Sequence, residues 1–477
     1  MPIPKKHTAR PRQLTILLIF ALITGLLSPA MTATAHATAA DSTANSSVTT
    51  ANNSTNDTAQ PSEDTAPGVP TPPTLDGVDA AYLINLDSGT VICSKEPDRL
   101  LYPASTAKLM AAYVALSLLS DRMSEVVTIT QDMIAGTTGT RYGLADGETV
   151  TIEDLFYIAF AGCYNDAVMA LARLASGDLT SFISAMNTAA GELGMESTHY
   201  TNPTGMHDRL MRTTAADVAR LATELQKNDF YLRVTSEPKY TLRGSEKQYT
   251  VGNRNELVMK TGAAHGKYYN SICQGMNVGM TEESGYALTT RAEDDGTTYI
   301  CVILGGREEE GGENTAYTTA NALIAWAYEN FSYREVITPA TLVAEIPVTL
   351  ATDADSVLLI PETSFSYYLP NSAVIGKEIT YTQKLTVESL EAPVSAGVTC
   401  GFITVSYLGE EIATLPLVTK ASVSGNRLLK QMEEIREFSQ SRVFIATVIS
   451  AVIITILYYA LRAFLRASHR KKRGRYY

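Results

Sequence analysis

The spacing of apolar and polar positions divides the chain into segments with different predicted structure. Alternating segments at residues 80–85 and 90–94 flank a Leu-Asp-Ser-Gly turn, a pattern typical of a β-hairpin. The apolar run at residues 109–119 predicts a buried helix. Thr151 can cap a further helix that runs toward Phe160. We therefore expect the folded part to begin with a hairpin and to continue with helices.

Further helices fill the middle of this region, and strands follow them. Residues 161–164 interrupt the helical pattern, which resumes over residues 165–174 and 214–226. Strands are predicted over residues 257–261, 271–280, 286–291 and 298–304, and a last helix over residues 314–331. This order favours an α+β fold, an antiparallel sheet flanked by helices, over a doubly wound parallel sheet. We expect this domain to span residues 76–335.

The C-terminal part has a different pattern. Residues 338–420 form short alternating segments between Pro, Gly and acidic turns, which predict a small all-β domain that serves as a spacer or docking module. Residues 425–441 predict an amphipathic helix. Residues 443–461 carry no charge and are long enough to cross a bilayer, and the basic residues 462–477 indicate a cytoplasmic end. We expect a single-pass protein of the cell membrane whose domains face outward.

The N-terminal part is predicted to lie outside the fold. Residues 1–37 have a basic start, an apolar run and an Ala-His-Ala cleavage site, which is the pattern of a secretory signal. An uncleaved anchor is the alternative interpretation. Residues 38–75 are mostly Ser, Thr, Ala, Asn and Pro without Lys or Arg, and bury too little apolar surface to fold. We expect them to form a disordered tether.

Charge and cysteine content exclude several classes of protein. The formal net charge is −12, and residues 1–37 and 442–477 contain basic residues but no acidic ones. The part between them is therefore strongly acidic, which argues against binding of nucleic acid. The five cysteines are scattered, without a CxxC pair or zinc-ligand spacing. We expect no disulfide framework, no metal and no cofactor.

Candidate chemistry begins with the segment Ser105-Thr106-Ala107-Lys108. A serine and a lysine three positions apart lie on one face of a helix. Burial disfavours the ammonium form of a lysine, and the neutral amine can take the proton of the serine hydroxyl. Such a motif also arises by chance, and a second copy, Ser236-Glu237-Pro238-Lys239, contains a proline that argues against a helical turn. The motif is informative only if other residues complete a site.

Two later segments supply such residues. Lys260-Thr261-Gly262 ends an apolar predicted strand and offers a positive charge, a hydroxyl and room for a substrate backbone. Asn165, in Cys163-Tyr164-Asn165, can orient Lys108 and a substrate amide, although a simple helix cap is the alternative. Each segment alone is more often structural. Their order along the chain makes the combination much more specific.

These motifs resemble a known family. Ser-x-x-Lys, Ser-x-Asn and Lys-Thr-Gly in this order are the signature of serine penicillin-recognising enzymes. The chain is most similar to the D-alanyl-D-alanine carboxypeptidases, the low-molecular-mass penicillin-binding proteins. The likeness is carried by residues 102–109, 165–167, 202–207 and 260–262 and extends over about residues 78–465. It implies a β-lactamase/transpeptidase-like domain followed by an all-β domain and a C-terminal transmembrane helix.

The resemblance also implies roles for individual residues. Ser105 attacks the carbonyl of a terminal D-Ala-D-Ala peptide, Lys108 is the general base, and water releases the acyl-enzyme. Lys260 and Thr261 hold the terminal carboxylate, and Gly262 leaves room for the peptide. The backbone N–H groups of Ser105 and Ala263 form the oxyanion hole. Lys260 close to Lys108 lowers the pKa of the latter.

One position departs from the family pattern. Cys163 stands where the family has a serine whose hydroxyl is thought to pass a proton to the leaving amine. A thiol is larger and donates hydrogen bonds more weakly, so this relay is slowed, altered or lost. Cys163 as the nucleophile is a weaker alternative, since no histidine is placed to activate it. Tyr164 is bulkier than expected, which predicts a narrower cleft.

The resemblance predicts a carboxypeptidase that trims peptidoglycan stem peptides and is acylated by penicillins and other β-lactams. A β-lactamase is disfavoured, because the predicted all-β domain and membrane anchor suit a polymer substrate. A DD-endopeptidase remains open. A catalytically impaired wall-binding or penicillin-sensing protein is the alternative that Cys163 favours. A Ser-His-Asp hydrolase is disfavoured, because Ser105 is not in a Gly-x-Ser-x-Gly segment.

Overall fold

A computed structural model describes residues 70–244, 249–260 and 266–473, the last seven by their backbone alone. The predicted signal, residues 1–37, and most of the predicted tether lie outside the described residues. So do Thr261, Gly262 and Ala263, three of the predicted substrate-binding residues.

The first domain contains short strands, longer helices and several tight helical turns. Its strands are β1 (Ala80–Asn85), β2 (Val91–Lys95), β3 (Val126–Thr128), β4 (Thr149–Thr151), β5 (Lys239–Thr241), β6 (Thr250–Gly252), β7 (Asn277–Thr281), β8 (Gly285–Asp294), β9 (Thr297–Gly306), β10 (Glu308–Glu309) and β11 (Glu313–Asn314). Its helices are α1 (Ala107–Leu119), α2 (Gln131–Ile134), α3 (Ile152–Phe156), α4 (Asn165–Ser176), α5 (Leu179–Glu192), α6 (Ala215–Leu225), α7 (Asp229–Ser236) and α8 (Thr315–Asn330). Tight 3-10 turns occur at Ala104–Thr106, Ser120–Arg122 and Glu256–Val258, and a π-helical turn at Tyr157–Ala161.

The centre of this domain is a five-stranded sheet in the order β2-β1-β9-β8-β7. Each neighbouring pair of strands is antiparallel. Alternate side chains of β9 enter two different cores: Val302 packs with the helical part around α1, and Ile303 packs against α8. Helices therefore cover both faces of the sheet, and the predicted α+β architecture is confirmed.

Helix α1 is apolar on all sides and is buried accordingly. Ser105 lies in the 3-10 turn that precedes the helix, and Lys108 is in the first turn of the helix itself. The side chain of Lys108 is 2% exposed. Burial of the first turns of the helix thus carries the lysine into the interior beside the serine.

The strand expected at residues 257–261 is wrong. Asn255 accepts a hydrogen bond from the N–H of Leu257 and closes the 3-10 turn Glu256–Val258. A side chain that bonds its own backbone in this way competes with a strand ladder. The strand expected at residues 271–280 begins only at Asn277, because Met276 has φ +94, outside the extended region.

The predicted all-β domain is confirmed. Its strands are β12 (Phe331–Ile337), β13 (Ala344–Thr349), β14 (Ser356–Pro361), β15 (Phe365–Pro370), β16 (Ile379–Leu385), β17 (Leu390–Glu391), β18 (Thr399–Tyr407) and β19 (Glu410–Thr419). Six of them form a sheet in the order β16-β18-β19-β14-β13-β17, and β12 pairs with β15. Their alternating apolar side chains enclose a separate core.

Two helices end the described chain. Helix α9 (Arg427–Gln440) is capped by the side chain of Asn426, and helix α10 (Arg442–Arg473) follows it. Within α10, residues Arg442–Arg466 form the one helix of the described residues that is long and apolar enough to cross a membrane.

Candidate active site

Ser105 and Lys108 form a pair, as the sequence predicts. Lys108 Nζ donates a hydrogen bond to Ser105 Oγ at 3.0 Å. Burial is the main cause that lowers the pKa of Lys108 to about 8, and the charge of Arg254 lowers it further. The expected cause, a nearby Lys260, is not among the interactions that shift this pKa. A substantial fraction of Lys108 is therefore neutral near pH 8 and able to take a proton.

This pair opens into a cavity of about 830 Å³, which we call the catalytic cavity. Four of the predicted site residues line it: Ser105, Lys108, Cys163 and Asn165. Its opposite wall is the edge strand β7. Its volume is sufficient for the end of a peptide.

Cys163 connects the helical side of the cavity to the sheet. Cys163 lies between the π-helical turn and α4, where the helical conformation is interrupted. Its backbone is in the left-handed region, with φ +52. Its sulfur lies 3.7 Å from Phe160 O and 3.5 Å from Val278 O. The thiol is thus directed to two backbone carbonyl groups.

Asn165 is not the helix cap that was the alternative interpretation. Tyr164 precedes α4 in the cap position, and no side chain caps the helix. Asn165 is 3% exposed, and its Nδ2 donates to Thr138 O at 2.8 Å. Its Oδ1 is buried and has no hydrogen-bond partner among the described residues. That oxygen is available to a substrate amide N–H.

Asp166 holds another wall of the cavity. Its buried carboxylate accepts hydrogen bonds from the backbone N–H groups of Tyr142, Gly143 and Leu144, at 2.9, 2.7 and 3.1 Å. These bonds fix the loop that precedes β4 against the start of α4. The position of Asp166 directly after Asn165 was the only feature of the sequence that pointed to its role in fixing this loop.

A second support packs against the turn that carries Ser105. The Asn202 carboxamide oxygen accepts from the N–H groups of Thr204 and Gly205 and closes a tight turn. Gly205 has φ +78, and a Cβ atom there would overlap the carbonyl of Ala104. Only glycine allows this approach, so the segment 202–207 fixes the turn that carries Ser105.

Strand β7 approaches Ser105 more closely than any side chain would allow. A Cβ atom on Gly279 would overlap the side chain of Ser105. Asn277, two positions earlier on the same face of the strand, is 2% exposed, and its amide has no partner among the described residues. Sequence reasoning predicted a strand here, within residues 271–280, but gave it no role in the site, because Asn277-Val278-Gly279 contains none of the charged or hydroxyl groups that it sought.

The structure does not bring Lys260 into the catalytic cavity. Lys260 lines a different, smaller cavity, and its Nζ lies 5.3 Å from the centre of the Tyr269 ring. Thr261, Gly262 and Ala263 are outside the described residues. The sequence indicated this tripeptide by its residue types, its order after the other motifs and its place at the end of a predicted strand, whereas the glycine that meets Ser105 belongs to β7.

Arg254 is the cavity-lining cation that sequence reasoning missed. Its guanidinium lies 5.1 Å from the centre of the Tyr164 ring, and its backbone N–H donates to Ala161 O at 2.9 Å. Asn253 on one side accepts from the N–H of Asn255 and keeps this segment in a tight turn. The only sequence signal was an arginine between two turn-forming asparagines.

An antiparallel sheet covered by helices, with a buried lysine bonded to a serine in a cavity, defines a serine peptidase that uses a lysine base. The sequence model of the D-alanyl-D-alanine carboxypeptidase family matches residues 69–308. The chain belongs to that family. Residues 331–424 match the C-terminal domain of penicillin-binding protein 5.

Individual relatives agree with this assignment. The D-alanyl-D-alanine carboxypeptidase DacF of Bacillus subtilis is 26% identical over 349 residues, which are 72% of this chain and 84% of the relative. DacD of Salmonella typhimurium is 26% identical over 381 residues, 78% of this chain and 92% of the relative. Among solved structures, penicillin-binding protein 5 from Haemophilus influenzae is similar in fold, with a TM-score of 0.54 and 24% identity, covering 74% of this chain and 99% of that one.

Proposed function

We propose that this protein is a membrane-anchored D-Ala-D-Ala carboxypeptidase that removes the terminal D-Ala of peptidoglycan stem peptides through an acyl-enzyme on Ser105. The observation that carries the proposal is the 3.0 Å hydrogen bond between Lys108 Nζ and Ser105 Oγ inside a peptide-sized cavity. Neutral Lys108 takes the hydroxyl proton as Ser105 Oγ bonds to the carbonyl carbon. D-Ala then leaves as an amine, and water hydrolyses the resulting ester.

The oxyanion hole is assigned to Ser105 N–H and Met280 N–H, in place of the expected Ala263. The carbonyl of Val278 is directed to Cys163, away from the partner strand β8. In an antiparallel strand, alternate residues direct both N–H and C=O to the same edge. Met280 therefore directs its N–H toward the cavity as well. The same free edge can pair with the extended backbone of the substrate peptide.

Recognition of the terminal carboxylate is assigned to Arg254 instead of Lys260. Arg254 lines the cavity and acts electrostatically on Lys108, so it lies within range of a substrate held at Ser105. Asn277 on β7 is neutral and can contribute a hydrogen bond but no charge. An arginine fork also suits the geometry of a carboxylate.

Cys163 and Asn165 are assigned to the peptide and to its leaving amine. Asn165 Oδ1 is free to accept from a substrate N–H. The thiol of Cys163 is the group on this wall that can pass a proton to the departing amine, and we expect it to do so more slowly than a hydroxyl. This substitution favours the second candidate function, a penicillin-sensing protein that is acylated but turns over poorly.

The C-terminal helices support a location in the membrane. The segment Arg442–Arg466 is assigned as the span, with the basic end in the cytoplasm and the two domains outside. The apolar side chains of α9 are exposed and suit a helix on the membrane surface. They are Leu428, Leu429, Met432, Ile435 and Phe438. Residues 1–37 would serve as the export signal.

The full-length chain in detergent tests the proposal. We expect covalent labelling by a fluorescent penicillin and release of D-Ala from a diacyl-L-Lys-D-Ala-D-Ala peptide, both lost in Ser105→Ala. Ser236→Ala, the serine of the other Ser-x-x-Lys segment, is the matched control and should retain both. Penicillin labelling without release of D-Ala would indicate the second candidate, the penicillin-sensing protein. In that case, Cys163→Ser should restore the release of D-Ala. No labelling of the wild-type chain would overturn the proposal.

A further inference from the structure

A second cavity, of about 290 Å³, lies outside the catalytic cavity and has no role in the mechanism above. Ser236 and Lys239 line it, which are the first and last residues of the other Ser-x-x-Lys segment. Lys260, from the Lys-Thr-Gly segment, lines it as well. Two sequence segments that the catalytic site leaves unused therefore meet at one place.

The second cavity is positively charged. Lys239 and Lys260 are both exposed, and neither forms an ion pair among the described residues. No Asp or Glu is among the described residues that line it. Glu237, the acidic residue between Ser236 and Lys239, instead accepts a hydrogen bond from Tyr157 Oη at 2.7 Å. In an otherwise acidic chain, this concentration of positive charge attracts anions.

Ordered structure holds the two lysines in position. Lys239 begins β5 and pairs with Gly252 of β6. The side chain of Asn253 donates to Thr235 O at 2.7 Å and to Glu237 O at 3.2 Å, which ties the segment before Lys239 to the segment leading to Lys260. Two lysines that line the same concave surface repel each other, and an anion bound between them relieves that repulsion.

The remaining walls suit an oxygen ligand. The Tyr269 ring lies under Lys260 Nζ, and this cation–π contact limits the positions of the ammonium group. Ser236 and Ser271 add hydroxyl donors to the lining. Hydroxyl and ammonium donors on one concave surface match a carboxylate, which accepts several hydrogen bonds at once.

The second cavity is separated from the catalytic cavity by one turn of the chain. Glu256 lines the catalytic cavity, and Val258 of the same 3-10 turn lines the second one. A ligand in the second cavity therefore lies close to the part of the catalytic cavity that Glu256 lines. Substrates large enough to reach both cavities can be bound at two points, whereas a short peptide reaches only one.

We propose that the second cavity binds a free carboxylate of a neighbouring stem peptide in polymeric peptidoglycan, and so favours polymer over short soluble peptides. This proposal rests on the proposed function for the identity of its substrate. Lys239 and Lys260 supply the charge, and Ser236 and Ser271 supply hydrogen bonds. The cavity takes no part in bond cleavage.

The kinetic test compares the wild-type chain with Lys239→Ala/Lys260→Ala. We expect kcat/KM for purified peptidoglycan to fall about tenfold at low salt. The estimate assumes that each of the two exposed charge contacts contributes a factor of about five or less to binding. The value for diacyl-L-Lys-D-Ala-D-Ala should stay unchanged, and the difference should shrink as salt is added. Lys384→Ala, an exposed lysine of β16, is the matched control. Equal activity of variant and wild type on polymer, or an equal loss on both substrates, would overturn the proposal.

A binding test separates this proposal from the activity. In a Ser105→Ala background, the chain should co-sediment with purified peptidoglycan, and the two lysine substitutions should weaken this association. Amidation of the free carboxylates of the polymer should weaken the co-sedimentation as much as the two lysine substitutions do. On amidated polymer, the lysine substitutions should cause no further loss of co-sedimentation. Association that depends on phosphate polymers attached to the wall, and not on its carboxylates, would contradict the assigned ligand. This assay remains informative even if D-Ala release is absent.

Discussion

In the proposed mechanism, the burial of Lys108 sets the pH at which Ser105 reacts. An ammonium group in the interior loses its hydration, and the nearby Arg254 adds repulsion, so the proton leaves Lys108 more easily than it leaves an exposed lysine. The same burial keeps the amine within hydrogen-bond distance of the hydroxyl. Burial of Lys108 therefore both places its amine next to the Ser105 hydroxyl and increases the fraction of the amine that is neutral.

The first prediction concerns pH. Since only the neutral form of Lys108 is a base, the rate of penicillin acylation should rise with pH and reach half of its maximum near pH 8. Stopped-flow measurement of acylation between pH 6 and pH 10 provides the profile. A rate that is constant over this range, or that falls above pH 8, would show that Lys108 is not the base.

The second prediction concerns Arg254. Arg254→Ala removes a positive charge, so the pKa of Lys108 should rise and the acylation profile should move to higher pH. The KM for peptides that end in a free carboxylate should rise about tenfold, as expected for loss of a charged hydrogen bond of about 1.5 kcal/mol. Peptides that end in an amide should show no such change in KM.

Arg243→Ala is the matched control for this arginine. Arg243 also lies over a tyrosine ring, 5.6 Å from the centre of Tyr240, but it is not among the residues that line the catalytic cavity. This variant should keep both the profile and the KM. If both arginine variants behave alike, a general change of surface charge explains the result and the carboxylate role of Arg254 is refuted.

At the scale of elements, the edge strand β7 carries the part of the site that the sequence motifs did not reveal. Its backbone approaches Ser105 because Gly279 has no side chain. Its free edge offers N–H and C=O groups to a peptide. The sequence predicted a strand over residues 271–280 that overlaps β7, but it placed the substrate-binding strand at residues 257–261, where Asn255 closes a 3-10 turn instead.

The third prediction tests this close approach. Gly279→Ala should reduce acylation by about 100-fold, because the new methyl group displaces Ser105 or the strand by about 1 Å. Gly252→Ala in β6 is the control, since a Cβ atom there has open space. Far-UV circular dichroism and thermal melting establish that both variants fold. A Gly279→Ala chain that is folded and fully active would contradict the placement of β7.

At the scale of the whole molecule, the two domains and the terminal helix have separable tasks. The candidate catalytic residues lie in the first domain, the β-domain has its own core, and residues 443–461 of α10 expose apolar side chains. The amphipathic helix α9 connects the β-domain to α10. Anchoring should therefore be removable without loss of chemistry.

The fourth prediction is a truncation after Ser441. We expect this chain to move from the membrane fraction to the soluble fraction after a wash with high salt, with its rate of penicillin acylation unchanged. A chain that ends after Arg466 keeps the apolar segment and should stay in the membrane fraction. Retention of the shorter chain in the membrane after the wash would show that α9 or another surface suffices as an anchor.

Much of the organisation was accessible from local patterns. Periodicity was sufficient for the hairpin β1–β2, helix α1, the all-β domain and the apolar segment of α10, since each depends on contacts between near neighbours or on composition. The Ser105–Lys108 pair was likewise predictable, because a spacing of three residues in a helical turn brings two side chains together without help from the rest of the chain.

The sequence by itself thus predicted the Ser105–Lys108 pair, the order of the two domains and the family resemblance. Tertiary structure decided which strand meets Ser105, which cation faces the cavity and where Lys260 lies. Those three outcomes depend on contacts between residues far apart in the chain, such as Gly279 with Ser105, and no short-range pattern encodes them. A three-residue motif specifies chemical groups, but only packing of the sheet against the helices determines where those groups are placed.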